Sequence, residues 1–349
     1  MLEHHIPLLL IAIVVFGLAF DFTNGFHDTA NAVATVISTR VLPPAFAIIM
    51  CGVLNFAGAL VSTNVAKTIA KGLIDTKSAS GIAFQEMILA AVLGAIVWNI
   101  VTWYFGIPNS SSHALIGGLV GAAFVYAGPH AVIWGGVLTK VVIPMVVSPI
   151  IGGIIAFVIM TLLYGLFARS KPGSVSSLFH NLQRISAAAV SFSHGQNDAQ
   201  KTMGVITLAL VAFHLLPNGK NIHIPLWVVL SCATAMGLGT ATGGWRIIRT
   251  LGTRIIRLEP INGFAAEASA SLVIFGASLL GYPVSTTHVV SGSIFGVGIA
   301  KRASGVRWTV AQRMVATWVI TLPAAAMVSG LLLAGIRLGG GHAVAALFR

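Results

Sequence analysis

Asn24-Gly25-Phe26-His27-Asp28-Thr29-Ala30-Asn31 returns 170 residues later as His194-Gly195-Gln196-Asn197-Asp198-Ala199-Gln200-Lys201. A second pair, Pro108-Asn109-Ser110-Ser111-Ser112-His113 and Pro283-Val284-Ser285-Thr286-Thr287-His288, stands 175 residues apart. Both pairs set polar groups into sequence that is otherwise hydrocarbon. Around the second pair, Gly106, Gly117 and Gly121 recur as Gly281, Gly292 and Gly296, while Trp134 and Pro149 recur 174 residues on as Trp308 and Pro323. The offset hardly drifts. The chain therefore reads as two copies of one unit, 1–168 and 185–349, joined by a polar linker at 169–184 that is expected to be cytoplasmic.

Composition fixes the solvent. Of 349 residues, 56% are hydrophobic and 8% charged, with mean hydropathy +0.93, whereas soluble domains carry about a quarter charged residues. Runs such as 6–20, 41–61, 88–101, 150–166 and 225–236 are long enough to span a bilayer, alone or with their small-residue flanks. The expected class is an all-α, polytopic membrane protein. The leader Met1-Leu2-Glu3-His4-His5 lacks Lys and Arg and no small-residue cleavage site follows, so the first span is expected to be retained rather than removed as a signal. The net charge of +12 sits mostly in short loops, as the positive-inside rule expects, which argues against nucleic acid as partner. Cys51 and Cys232 lie alone in apolar runs and form neither a disulfide framework nor a zinc site.

Each half is expected to cross the membrane five times. In the first, a segment 6–38 broken near Asn24-Gly25 is followed by 41–64, a helical hairpin (86–104 and 113–126) tipped by Pro108–Ser112, and 142–167. The second repeats this with 185–213, 225–244, a hairpin over 263–300 and 315–336. An odd number of crossings requires the second copy to be inverted. With both termini outside, the loops at Arg40, 169–184, 246–257 and 301–313 place twelve basic residues in the cytoplasm. Seven remain outside, among them Lys67, Lys71 and Lys77. That bias supports the orientation. Trp98, Trp103, Trp134, Trp227, Trp245 and Trp308 fall near span ends, as interfacial anchors do.

Ionisable groups at bilayer depth are costly and mark ion or substrate paths. Duplicated polar breaks point to a secondary transporter with its site between the halves. A continuous helix over 6–38 would be roughly 50 Å long, beyond a hydrocarbon core of about 30 Å. Unwinding at Asn24-Gly25 would free carbonyls that, with Asn24, Asp28 and Asn31, make a hard oxygen cage for a coupling cation. Asn197 and Asp198 offer the mirrored set. Lys201 stands where the first copy has Asn31, and would pair with Asp198 or attract an anion. His194 lies three residues before Asn197 and could relay protons. Glu267, with no match in the first half, is a further coupling-ion candidate.

The hairpin tips are the anion candidates. Pro108 and Pro283 end one arm, and Ser and Thr cap the next. Two helix N-termini would then aim N–H groups and positive dipole ends inward, with Ser110, Ser111, Ser112, Ser285, Thr286 and Thr287 adding hydroxyls. Capping is the plainer role of any one such tip. His113 and His288 read as capping or packing residues, and Gly117-x-x-x-Gly121 and Gly292-x-x-x-Gly296 as close helix contacts. The stretch from Gly195 to Thr202 mimics a phosphate loop, but its second glycine is replaced by Gln200 and its context is an apolar helix, so nucleotide hydrolysis is rejected. No activated nucleophile or metal-ligand spacing is present. No catalytic residue, structural metal or cofactor is assigned, and an enzyme is disfavoured.

Gly25-Phe-His-Asp28-Thr-Ala-Asn31 with Gly195-Gln-Asn-Asp198, and Pro108-Asn-Ser-Ser-Ser-His113 with Pro283-Val-Ser-Thr-Thr-His288, resemble the paired motifs of the inorganic phosphate transporter (PiT) family. The resemblance runs over almost the whole chain. It implies an inverted-repeat phosphate symporter driven by H⁺ or Na⁺, often dimeric, in the inner membrane. Asp28 and Asp198 would serve the coupling ion, and the hairpin hydroxyls phosphate. The chain lacks the large central loop of eukaryotic members, and Lys201 stands where Asn is frequent. That pattern resembles the bacterial, proton-coupled branch. The expected function is inward transport of phosphate, as the free anion or a metal–phosphate complex, with H⁺ favoured over Na⁺. Rivals are a sulfate or other oxyanion permease on the same scaffold and a passive anion channel.

Overall fold

The computed structural model describes residues 8–75, 82–217, 222–253 and 255–338. Lys77, Lys220, Arg254 and Arg349 of the loop-charge argument lie outside them. The described residues are helical almost throughout, as a chain in hydrocarbon must be when water cannot satisfy its backbone. In order the helices are α1 (Leu8–Ser38), α2 (Pro44–Ala59), α3 (Asn64–Gly72), α4 (Ile82–Tyr104), α5 (Ser111–Ala127), α6 (Trp134–Val137) and α7 (Ile143–Leu166). There follow α8 (Pro172–Ala212), α9 (Leu226–Thr242), α10 (Trp245–Thr253), α11 (Pro260–Leu279), α12 (Thr286–Arg302) and α13 (Trp308–Leu338).

By length and composition, four single helices can cross a membrane: Leu8–Ser38, Ile82–Tyr104, Trp134–Leu166 and Trp308–Leu338. Two bent pairs, α2 with α3 (68°) and α9 with α10 (72°), bring the number to six. α7 and α13 turn Ile150, Ile154, Phe157, Val319, Ile320 and Leu331 outward, as a lipid-facing rim would. α1 and α8 are buried at the centre over their polar stretches.

Two expectations are corrected. α1 runs unbroken through Asn24-Gly25, and α8 is continuous through Gly195. The polar stretch 169–184 is not a loop either, since it is helical from Pro172 onward as the first turns of α8. Glycine serves a different purpose here. A Cβ on Gly25 would lie 2.6 Å from the Met236 carbonyl oxygen of α9, and one on Gly195 would lie 2.1 Å from that of Asn55 in α2. The two central helices thus touch backbone to backbone with their neighbours, α1 with α9 and α8 with α2. The discontinuities fall one span later, between α2 and α3 and between α9 and α10.

The hairpins form as expected, with longer arms: α4 to α5 and α11 to α12. Gly106 (φ 63°) and Gly281 (φ 75°) end the first arms in the left-handed region that favours glycine. There Ile107 and Tyr282 N–H reach back to the Thr102 and Ala277 carbonyls, a Schellman closure. α5 packs on α13 and α12 on α7, each return arm thus lying against the closing helix of the other half. Gly117 and Gly121 meet the Leu322 and Ala326 carbonyls, and Gly292 and Gly296 those of Pro149 and Gly153, where a Cβ would stand 2.0–2.4 Å away.

Candidate functional site

Each hairpin turns so that its second arm begins at the molecular centre. Ser110 caps α5 by accepting from His113 N–H at 3.2 Å, and Ser285 caps α12 by accepting from His288 N–H at 3.3 Å. The two caps leave the next hydroxyls, Ser111, Ser112, Thr286 and Thr287, facing one another across the centre. The tips touch: Thr287 Oγ1 donates to the Asn109 carbonyl at 2.8 Å and Ser112 Oγ to that of Val284 at 3.5 Å. The His113 and His288 rings pack at 4.8 Å, and His288 stacks on Trp318 at 4.0 Å. Those histidines pack rather than face the centre.

α1 and α8 bring one carboxylate each to this junction. Ser111 Oγ donates to Asp28 Oδ2 at 3.3 Å, and Thr286 Oγ1 donates to Asp198 Oδ2 at the same distance. Thr287 Oγ1 also reaches Asp28 Oδ1 at 3.5 Å. Asn31 Nδ2 donates to Thr287 at 2.9 Å and to Thr286 at 3.3 Å. Lys201 Nζ donates to Asp198 Oδ1 at 2.5 Å, to the Val284 carbonyl at 3.0 Å and to Ser112 Oγ. His27 Nδ1 sits 2.9 Å from Asp28 Oδ1, and His194 Nε2 sits 3.5 Å from Asp198 Oδ2. All of these side chains are buried. Asp28, His194 and Asp198 each present a ligand atom, all within 4.8 Å of one another.

Not every candidate joins the cluster. Asn24 is buried on α1, with neither side-chain amide atom hydrogen-bonded. Asn197 bonds Ser278 Oγ at 2.8 Å and the Tyr282 carbonyl at 3.3 Å, holding the second tip rather than facing the carboxylates. Ser110 and Ser285 are engaged as caps. Glu267 lies apart, accepting from Thr35 Oγ1 (2.5 Å), Gln183 Nε2 (3.0 Å) and Ser186 Oγ (2.5 Å).

Sequence reasoning missed several groups. The carbonyls of the centre come from Asn109 and Val284 in the tips, not from an unwound α1, and a main-chain acceptor leaves no mark in residue identity. Asn55, which holds His194 Nδ1 at 2.6 Å, and Gln200, which accepts from the Val65 N–H at 2.8 Å, sit in the apolar context that had flagged Asp28. Asp21, buried on α1 and accepting from Thr202 Oγ1 at 2.6 Å, carried the same signal.

Hydroxyl-lined helix N-termini beside paired carboxylates suit an oxyanion moved with a cation, and comparison with known proteins decides among such anions. The sequence profile described as "Phosphate transporter family" matches residues 24–174 and 167–329. The chain belongs to the phosphate transporter family. It is 48% identical over 319 residues to a "Probable low-affinity inorganic phosphate transporter" of Bacillus subtilis, covering 91% of this chain and 94% of that one. It is also 48% identical over 324 residues to a Rhizobium meliloti protein of the same description, covering 93% and 95%. Among solved structures it is similar to "The sodium-dependent phosphate transporter", with TM-score 0.86 and 26% identity, covering 95% of this chain and 99% of that one. This phosphate transporter is therefore a multi-pass membrane protein.

Proposed function

We propose that this transporter imports inorganic phosphate across the inner membrane by cation symport, with H⁺ favoured over Na⁺, and that phosphate binds between the two hairpin tips. One observation carries the reading: the hydroxyls of Ser111, Ser112, Thr286 and Thr287 converge between Asp28 and Asp198. Hydroxyl donors and two helix N-termini favour an anion. Bare carboxylates repel it, so loading requires a proton or cation at Asp28 or Asp198. The histidines His27 and His194 beside both carboxylates make H⁺ the favoured ion. Carboxylates can also accept a hydrogen bond from a protonated phosphate oxygen. Sulfate has no such proton at neutral pH, which ranks it second.

Alternating access would rock two inverted five-crossing repeats, 1–168 and 185–349, about the tips. Matched contacts support that symmetry: Gly58 approaches the Phe192 carbonyl as Gly239 approaches that of Phe22. A homodimer is the assembly this reading carries over from the family resemblance.

A metal–phosphate complex is a second form of the cargo, favoured by the ligand atoms gathered at Asp28, His194 and Asp198. Uptake of labelled phosphate into proteoliposomes tests the proposal. A protonophore should collapse it and sodium removal should not, and equimolar sulfate should compete poorly. Flux that ignores both cation gradients would establish a passive channel instead.

A further inference from the structure

The two carboxylate clusters are built from matching atoms. The repeat offsets pair Asp28 with Asp198, Ser111 with Thr286, Ser112 with Thr287 and the Asn109 carbonyl with that of Val284. The contacts follow the pairing: Ser111 to Asp28 mirrors Thr286 to Asp198, and Thr287 to the Asn109 carbonyl mirrors Ser112 to that of Val284. Asn31 reaches Thr287 as Lys201 reaches Ser112. The chief chemical difference is that an ammonium in one half stands where an amide stands in the other.

An ammonium has three N–H donors and no acceptor. Lys201 directs one to a carboxylate oxygen of Asp198, one to the Val284 carbonyl and one to the Ser112 hydroxyl. With all three spent, none remains for phosphate, so Lys201 is not the anion hook that its charge suggests. Its acceptors, a carboxylate, a carbonyl and a hydroxyl, are the oxygen set that holds a hard cation. The twin set is Asp28, the Asn109 carbonyl and Thr287 Oγ1, faced by the uncharged Asn31. Among the described residues, the ion-pair partner of Asp28 is His27, whereas Asp198 holds a lysine. A buried carboxylate with no fixed counter-charge is costly, and a cation arriving with the cargo offsets that cost.

We infer that the Lys201 ammonium is a built-in cation. It fills in the second half the position that a co-transported monovalent cation takes at Asp28 in the first, so phosphate moves with one cation fewer than a symmetric site would require. The inference rests on the symport reading above and deepens it by fixing which carboxylate couples.

The test substitutes Lys201→Asn, which repeats the first-half arrangement, and uses sodium as the probe. Purified full-length protein in detergent should show a Na⁺-dependent rise in unfolding temperature larger in the variant than in wild type, with no phosphate present. In proteoliposomes at zero membrane potential, one added Na⁺ per phosphate makes a tenfold inward Na⁺ gradient raise the variant's steady-state accumulation about tenfold further than wild type's. Lys201→Met, which removes the charge without supplying an oxygen, should show neither gain.

Unchanged Na⁺ stabilisation together with wild-type accumulation in Lys201→Asn would overturn the inference. Should that variant not fold, Asp198→Asn/Lys201→Asn removes the pair together. It is expected to take up phosphate more slowly with the wild-type cation ratio, and a lower ratio would overturn the inference equally. The unfolding measurement needs no phosphate. A wild-type protein that carries none would therefore sink the symport reading while leaving the sodium result to judge Lys201.

Discussion

The cluster at Asp28 and the cluster at Asp198 share a backbone and differ in charge. In both, a carboxylate from a central helix accepts from a hydroxyl of a hairpin tip at 3.3 Å. Only the second holds a lysine. A similar divergence separates the helix crossings that flank the centre. Glu267, Thr35, Gln183 and Ser186 form a polar knot where α11 meets α1 and α8. By the same offsets their counterparts are Val92, Val205, Ile13 and Phe16. Val92, Val205 and Ile13 are buried among apolar neighbours. Duplication has conserved what the backbone needs, the glycines at helix crossings and the caps at the tips, while side chains at bilayer depth have diverged. Symmetry in this transporter is a property of the frame, and chemistry is carried by its exceptions.

The comparison predicts unequal penalties for equal changes. Asp198→Asn strands a buried ammonium and should cost about 3–5 kcal/mol in thermal unfolding, with most of it regained in Asp198→Asn/Lys201→Asn. Asp28→Asn removes no lysine partner and should cost only about 1–2 kcal/mol, yet abolish concentrative uptake. Equal penalties at the two sites would mean that the charge asymmetry has no energetic meaning. The glycines sharpen the frame. Gly195→Ala meets the Asn55 carbonyl at 2.1 Å and Gly25→Ala meets that of Met236 at 2.6 Å. Overpacking of this kind costs about 1–3 kcal/mol, and Gly195→Ala should be the worse of the two by unfolding temperature.

Smaller effects follow away from the charges. Glu267→Gln keeps the shape of the polar knot and should lose about 1–2 kcal/mol. Since Glu267 touches neither tip, the phosphate concentration for half-maximal uptake should stay within about twofold of wild type. A large shift would place Glu267 in the anion's path. Ser111→Ala deletes one hydroxyl from the junction and should weaken phosphate binding about fivefold, the equivalent of about 1 kcal/mol.

Much of this was legible in the sequence because polar residues in hydrocarbon are conspicuous. Asp28, Asp198, Lys201 and the Ser and Thr tips stand out against their flanks, and the constant offset joined them into pairs. The continuity of α1 was not legible. A Gly in a long apolar segment reads equally as a hinge or as a contact, and the partner that decides, the Met236 carbonyl, lies 211 residues away. Nor could Asn24 and Asn197 be told apart from Asn31, because which face of a helix looks inward depends on how that helix is rotated in the bundle. Exchange of closing helices between the halves was hidden for the same reason. Apolar surfaces pack without declaring their partner.

The most direct measurement is an experimental structure of the transporter with arsenate, a heavier analogue of phosphate. A single arsenate peak bounded by Ser111, Ser112, Thr286 and Thr287, between Asp28 and Asp198, is the predicted result. A peak elsewhere, or arsenate held by Lys201 turned away from Asp198, would contradict the account.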